Sequence, residues 1–372
     1  MSISNKEYQR RYAAIRELMK KEGLDSILVA GMSDDLNRGN IRYITGSGLG
    51  GFCIIPAEGK PIDLTIPTPN GKINSKLRKI KEAFDLLDFR EAANPFEQIN
   101  IELSRLDGGQ KIGIVGLSCL PMPIYLSLKE KFGDRLVDLP LLFEPLRIIK
   151  SAEEIEKIRV SAAIADKVYT MLRKIIRPGL SEFEIYGEVK RVIYQNGCAY
   201  SFEVLDGAGS MLNMSLFPTE DKLEENGTLF MEISPSFQGY YAQLPVTLPV
   251  GEYLPHIKQM VMAWAEADKV MQKVLRPGTK VSELYHTLID SVNATGFLSP
   301  YRPGHFVGLD LLDYRSITES DDTPLEPGMV LAIHPSVITK DSEDGVGMGY
   351  TYLITETGFE RFSKIDLANE LI

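Results

Sequence analysis

The chain has 372 residues, which is enough for two domains of ordinary size. Its apolar content of 44% and charged content of 25% are typical of a globular protein. A net charge of −10 argues against nucleic acid or an anionic membrane as the main partner, because both bind basic surfaces. No segment approaches the roughly 20 apolar residues that span a bilayer. The polar start of the chain shows no signal peptide, so we expect a cytoplasmic protein.

The first half alternates between helical and strand patterns. An amphipathic helix is predicted over residues 6–22, and it ends at Gly23. Short apolar runs predict strands at 26–30, 52–56, 62–66 and 111–115. With helical stretches between some of these strands, the first half is predicted to be an α/β domain.

The pattern changes near residue 148. The sequence from Ser151 to Glu154 is a capping box, and it begins a long helix whose apolar face continues to about Ile176. We therefore predict two domains, residues 1–148 and residues 149–372.

The second half contains an internal repeat. Ile176-Arg177-Pro178-Gly179 precedes a predicted helix and then Gly197, and Leu275-Arg276-Pro277-Gly278 precedes another helix and then Gly296. The spacing within the two copies is the same. A duplicated α/β unit of this kind packs about a pseudo-twofold axis, with strands curving around a shared cleft.

Four polar residues of the second half lie on or beside apolar strand segments: Glu232, Gln243, His305 and His334. A polar side chain in such a place is costly unless it has a partner. We therefore expect the four side chains to meet in one site at the cleft.

Several segments resemble the creatinase, prolidase and aminopeptidase P family of "pita-bread" proteins. They are the duplicated unit itself and the segments 38–46, 146–155, 239–240, 303–305 and 325–330. The resemblance implies a creatinase-type amino-terminal α/β domain, a carboxy-terminal pita-bread domain and a homodimer.

The metallopeptidases of this family hold two metal ions with two Asp, one His and two Glu. By resemblance, the two Asp positions are Glu232 and Gln243, the His is His305, and the two Glu positions are His334 and Gly349. Two metal ions carry at least four positive charges and need bridging carboxylates to hold them about 3.5–4 Å apart. We therefore predict that this chain has no dinuclear metal centre.

Creatinase, in the same family, cleaves a C–N bond without a metal. On that model we predict a hydrolase of a C–N bond in a small amino-acid-like, dipeptide-like or guanidino-like compound, with no cofactor. His305 is the favoured general base, and Glu232 or His334 is expected to act as the orienting or proton-donating group beside it. The expected substrate-binding residues are Tyr241, Gln243, Tyr350, Arg38 and Arg42.

Two alternatives stay open. Glu232, His305 and His334 have the ligand types of a mononuclear site for a divalent transition metal such as Fe(II), Zn or Mn. The chain could instead keep the fold and bind a ligand or a partner without catalysis. The polar replacements at three ligand positions favour a working site, because unpaired buried polar groups cost about 1–3 kcal/mol each.

Overall fold

The structure is a computed structural model, and it describes residues 3–32, 38–46, 51–65, 85–91, 94–207 and 209–372. The chain divides into two compact units, Met1–Arg147 and Ile148–Ile372. The division falls one residue before the predicted boundary. Among the described residues, no helix is both long enough and apolar enough to cross a bilayer.

The amino-terminal unit is a mixed α/β layer structure. Its described helices are α1 (Asn5–Glu22), α2 (Gly39–Thr45), α3 (Pro95–Arg105), α4 (Met122–Phe132) and α5 (Glu144–Arg147). Its strands are β1 (Leu24–Gly31), β2 (Gly51–Pro56), β3 (Ile62–Thr65), β4 (Asp88–Glu91), β5 (Lys111–Val115) and β6 (Leu136–Asp138).

These six strands form one sheet in the order β4-β3-β2-β1-β5-β6. The β1–β2 and β2–β3 pairs are antiparallel, whereas β1–β5, β3–β4 and β5–β6 are parallel. Helix α1 ends where predicted, because Gly23 takes the left-handed conformation (φ 68°) and its amide donates to the last turn. The predicted α/β character of this unit is confirmed.

The carboxy-terminal unit combines long helices with curved antiparallel strands. Its helices are α6 (Ala152–Ile175), α7 (Glu182–Gln195), α8 (Pro255–Met271), α9 (Val281–Asn293) and α10 (Leu367–Leu371). Its strands are β7 (Tyr200–Asp206), β8 (Thr228–Phe237), β9 (Tyr240–Tyr241), β10 (Leu244–Pro249), β11 (Gly304–Phe306), β12 (Val330–Ile333), β13 (Ser336–Ile338), β14 (Gly345–Gly347), β15 (Tyr350–Ile354) and β16 (Phe359–Arg361).

The two Arg-Pro-Gly segments have matching hydrogen bonds. The amide of Gly179 donates to the Leu223 carbonyl, and that of Gly278 donates to the Leu325 carbonyl, both at 2.8 Å. Each glycine is left-handed, with φ of 82° and 87°. One helix pair, α6–α7, precedes β7, β8 and β10, and the second pair, α8–α9, precedes β11, β12, β15 and β16. These contacts are those of an internally duplicated α/β unit.

Each half of the duplication contributes one face to the main hydrophobic core. On β8, Met231 and Ile233 belong to that core, and on β12 so do Leu331 and Ile333. Because strand residues alternate between faces, the intervening residues point the other way. We call that opposite side of the two sheets the inner face.

Candidate active site

Glu232 and Gln243 form a hydrogen-bonded pair on the inner face of the first sheet. Glu232 lies on β8 between the core residues Met231 and Ile233, so alternation directs its side chain to the inner face. Gln243 stands between β9 and β10 and is buried. Its Nε2 donates to Oε2 of Glu232 at 3.0 Å.

His305 and His334 form a second pair, on the second sheet. His305 is buried on β11, and His334 follows the last residue of β12. The His334 amide donates to the Pro303 carbonyl at 2.8 Å, which holds it beside the segment before β11. The two imidazole rings meet edge to face, with centroids 5.3 Å apart and planes at 72°.

The two sheets join between these pairs. Register places His305, Ala332 and Thr351 side by side on neighbouring strands. Oγ1 of Thr351 donates to the Gln243 carbonyl at 2.9 Å and accepts from its amide at 2.8 Å. With strands about 4.8 Å apart, His305 and Thr351 are about 10 Å apart along this row. The carboxylate–amide pair and the imidazole pair therefore share one inner face.

Burial alters the acidity of these groups. Partial burial raises the pKa of Glu232 to about 7, against the opposing effects of the Arg302 charge and the Gln243 hydrogen bond. Burial lowers the pKa of His305 to about 4 and that of His334 to about 3. Near neutral pH both imidazoles are uncharged, and the Glu232 carboxyl is close to half ionised.

The tautomer of His305 follows from its environment. Its Nδ1 lies 3.0 Å from the Phe306 carbonyl, which can only accept a hydrogen bond. In the neutral ring Nδ1 therefore carries the proton, and Nε2 presents a lone pair.

Two buried atoms of the cluster have no hydrogen-bond partner among the described residues. They are Nε2 of His334 and Oε1 of Gln243. A buried polar atom without a partner costs about 1–3 kcal/mol, so sites that contain several such atoms are suited to a bound polar molecule.

Comparison with known proteins gives two family matches. Residues 11–149 match the creatinase/prolidase N-terminal domain, and residues 156–356 match metallopeptidase family M24. The chain belongs to metallopeptidase family M24. The predicted family and the predicted pita-bread fold are both confirmed.

Relatives match along nearly the whole chain. A Xaa-Pro dipeptidase of Pyrococcus horikoshii is 26% identical over 373 residues, covering 98% of this chain and 99% of the relative. An uncharacterised peptidase of Bacillus subtilis is 25% identical over 351 residues, covering 92% of this chain and 95% of the relative.

Solved structures show the same fold. The prolidase of Pyrococcus horikoshii gives a TM-score of 0.81 at 24% identity, covering 98% of this chain and 100% of that one. An X-Pro aminopeptidase of Thermotoga maritima gives a TM-score of 0.82 at 18% identity, covering 96% of this chain and 98% of that one.

The donor set of this M24 protein does not fit a dinuclear metal centre. Of the five positions that the resemblance assigns to metal ligands, only Glu232 carries a carboxylate, and its Oε2 already accepts from Gln243. Two divalent ions need several anionic oxygens, including bridging ones. Within the described parts of the chain, no three His, Cys, Asp or Glu side chains are grouped so as to hold a metal ion.

Gly349, the fifth of these positions, has no room for a side chain. A Cβ built at Gly349 would lie 2.6 Å from both Cα and Cβ of His334, and closer still to the Ile333 carbonyl oxygen. At Gly347, a Cβ would lie 2.6 Å from the Phe230 ring. Phe230 and His334 thus occupy the space beside these glycines.

Tyr350 does not join the cluster. It pairs with Ile333 on β12, and both residues belong to the main core, on the side opposite the inner face. Its hydroxyl accepts from the Leu367 amide at 2.7 Å, and its ring packs on Trp264 with centroids 5.8 Å apart. Strand alternation places the neighbouring Thr351 on the inner face instead.

The other predicted substrate-binding residues have different positions. Tyr241 is buried on β9, and its amide donates to the Gly308 carbonyl at 2.9 Å, which places it beside the loop after β11. Arg38 is buried just before α2, and Arg42 lies within α2, both in the amino-terminal unit. Their role in substrate binding stays a prediction.

Sequence reasoning assigned no role to Arg302. It precedes β11 by two residues, and its charge opposes the rise in the pKa of Glu232 and adds to the fall in the pKa of both histidines. Because Arg302 lies in a loop, no helix or strand periodicity in the sequence marks its position. Only its distance of three residues from His305 could have indicated it.

Proposed function

We propose that this M24 protein hydrolyses a C–N bond in a small amide, dipeptide-like or guanidino-like compound without a dinuclear metal centre. The observation that carries the proposal is the shared inner face of Glu232–Gln243 and His305–His334. Family membership supports hydrolysis, since relatives include Xaa-Pro dipeptidases. The residues at the site, which include only one carboxylate, support a mechanism of hydrolysis that does not use two metal ions.

In this proposal Glu232 transfers the proton. Water adds to the electrophilic carbon, its proton passes to Glu232, and the same proton goes to the departing nitrogen as the C–N bond breaks. A base is most effective when its pKa lies near the working pH, and the pKa of about 7 suits Glu232 to both steps. With a pKa of about 4, His305 is a weaker base than the sequence reasoning assumed.

The imidazoles and Gln243 then position the reactants. The lone pair on His305 Nε2 accepts a hydrogen bond from the attacking water. Oε1 of Gln243, which has no partner among the described residues, accepts an N–H of the substrate. Tyr241 is kept as a substrate-binding residue in the proposal, whereas Tyr350 is not.

Turnover of a defined panel tests the proposal. Dipeptides including Xaa-Pro compounds, amino-acid amides and guanidino acids are incubated with the protein, and released amines are measured by mass spectrometry. We expect Glu232→Gln to lower kcat/KM about 10²–10⁴-fold on any compound that is cleaved, because it removes the group that transfers the proton. His305→Ala removes a hydrogen bond that positions the attacking water, so it should lower kcat/KM about tenfold, and both variants should keep the wild-type circular dichroism spectrum. Equal turnover by wild type and Glu232→Gln would contradict the role of Glu232, and equal turnover by wild type and His305→Ala would contradict that of His305.

Tyr350→Phe is the matched control. It removes a hydroxyl on the core side of the same sheet, so it should change stability and leave kcat/KM within about twofold. A loss of turnover equal to that of His305→Ala would mean that the kinetic effect is not specific to the inner face.

A homodimer and a cytoplasmic location are further proposals. Both rest on the resemblance to creatinase, prolidase and aminopeptidase P and on the composition of the chain.

A further inference from the structure

Arg302 is held in place by a serine on the strand-like segment next to His305. Its Nη1 donates to Oγ of Ser316 at 2.9 Å. Ser316 pairs directly with His305 in an antiparallel bridge. Residues directly opposite each other in such a pair direct their side chains to the same side of the sheet. The hydroxyl that holds Arg302 therefore lies on the inner face, beside His305.

The next residue supports this orientation. Ile317 is buried in the main hydrophobic core, on the opposite side of the sheet from the inner face. Because side chains alternate along an extended segment, Ser316 points away from that core. The influence of Arg302 on the pKa of Glu232, His305 and His334 agrees with a guanidinium close to all three.

Arg302 is exposed and has capacity for an anion. Among the residues that the structure describes, its side chain hydrogen-bonds only to the neutral Ser316 hydroxyl, and its charge acts on Glu232 without a direct ion pair. By contrast, Arg315 on the same segment pairs with Asp321 at 3.3 Å. A guanidinium has five N–H donors, and it binds a carboxylate through two parallel hydrogen bonds.

We propose that Arg302 binds a carboxylate of the substrate and so restricts this enzyme to compounds that carry a free carboxylate next to the bond cleaved. The inference rests on the proposed function, because it assigns the substrate class of the same site. Arg302 acts here in substrate binding, whereas Glu232 and the histidines act on the reacting atoms.

The test compares each cleaved dipeptide with its own C-terminal amide. The amide has the same shape and lacks the negative charge. We expect wild type to favour the free acid about 10- to 100-fold in kcat/KM, as charge-assisted hydrogen bonds are worth that factor. Arg302→Gln should reduce this preference to about onefold, mainly by raising KM for the acid, whereas Arg302→Lys should keep part of it.

Arg276→Gln is the control. Arg276 is also exposed, and its replacement changes the net charge by the same amount, but it lies in the segment between α8 and α9. It should leave the acid-over-amide preference at the wild-type value. A preference that survives in Arg302→Gln, or that Arg276→Gln removes equally, would overturn the inference.

A binding assay separates this inference from the proposed hydrolysis. If wild type cleaves no compound, thermal unfolding is measured with the same dipeptides and amides at millimolar concentration. Stabilisation by the acids alone, lost in Arg302→Gln, would uphold the carboxylate site while the hydrolysis proposal fails. An equal response to acid and amide, or no response to either, would overturn the carboxylate site.

Discussion

At the scale of single residues, Glu232 has the most unusual environment in the site. Its carboxyl is partly buried, and among the described residues Gln243 is its hydrogen-bond partner. Arg302 is the charged group that acts on the pKa of Glu232, and it also acts on the pKa of both histidines. Because the two histidines are neutral near pH 7, Arg302 is the cation that favours ionisation of Glu232.

This environment predicts a pH-dependent cost to stability. The folded protein holds the Glu232 proton up to a pKa of about 7, while the unfolded chain loses it near the ordinary value of 4.5. The unfolded chain therefore ionises first and is stabilised, which lowers the free energy of unfolding progressively as pH rises through that interval. Glu232→Gln should raise Tm relative to wild type by more at pH 8 than at pH 4.5.

Thermal unfolding of both proteins at the two pH values measures this difference. The histidines titrate in both proteins, so their contribution cancels in the comparison. A constant Tm difference between pH 4.5 and pH 8 would show that the pKa of Glu232 is not raised.

At the scale of secondary-structure elements, the glycines after β13 decide how the site is packed. The inward positions 345, 347 and 349 are all glycine, and each approaches another residue closely enough that a Cβ would collide. At Gly349 the obstacle includes backbone atoms of Ile333 and His334, which cannot rotate away. The glycine at 349 and the histidine at 334 are therefore structurally coupled, because a side chain at 349 would collide with His334.

Gly349→Ala should destabilise the protein by about 1–3 kcal/mol, as overpacking does in a filled site. Gly187→Ala is the matched control. Gly187 lies in α7 with nothing within 4 Å of a built Cβ, so alanine there should stabilise by about 1 kcal/mol through helix propensity. Chemical denaturation measures both. Equal stability of Gly349→Ala and wild type would mean that position 349 can accept a side chain.

Local sequence signals predicted the elements well where one residue controls the end of a helix. The capping box at Ser151 and the left-handed Gly23 are both present, and β5 has the predicted bounds of 111–115. Tyr350 was misplaced because every residue of its strand is buried, so its sequence does not show which face is inward. Arg302 was missed because its role depends on the pairing of Ser316 with His305, which is a tertiary contact.

At the scale of the whole molecule, the internal duplication explains why the site forms. Neither half contains the full cluster: Glu232 and Gln243 follow the first helix pair, and His305 and His334 follow the second. The junction between Gln243 and Thr351 joins the two halves. The repeated Arg-Pro-Gly spacing was sufficient to predict this organisation, because it marks equivalent helix ends in both copies.

The proposed homodimer has a direct test. Size-exclusion chromatography with light scattering should give a mass of twice the 41.5 kDa chain. A mass equal to one chain at micromolar concentration would contradict the dimer, and it would leave the account of the inner face unchanged because all four residues come from one chain.

The most direct test of the central claim is the metal stoichiometry of the purified protein. Elemental mass spectrometry is performed after incubation with Mn(II), Fe(II), Co(II) or Zn(II) and removal of free ions, alongside turnover measurements on the same samples. We predict fewer than two ions per chain under every condition, and amine release that does not require a second ion. One ion per chain, lost in His334→Ala, would select the mononuclear alternative. Two ions per chain, with turnover that depends on both, would contradict the account.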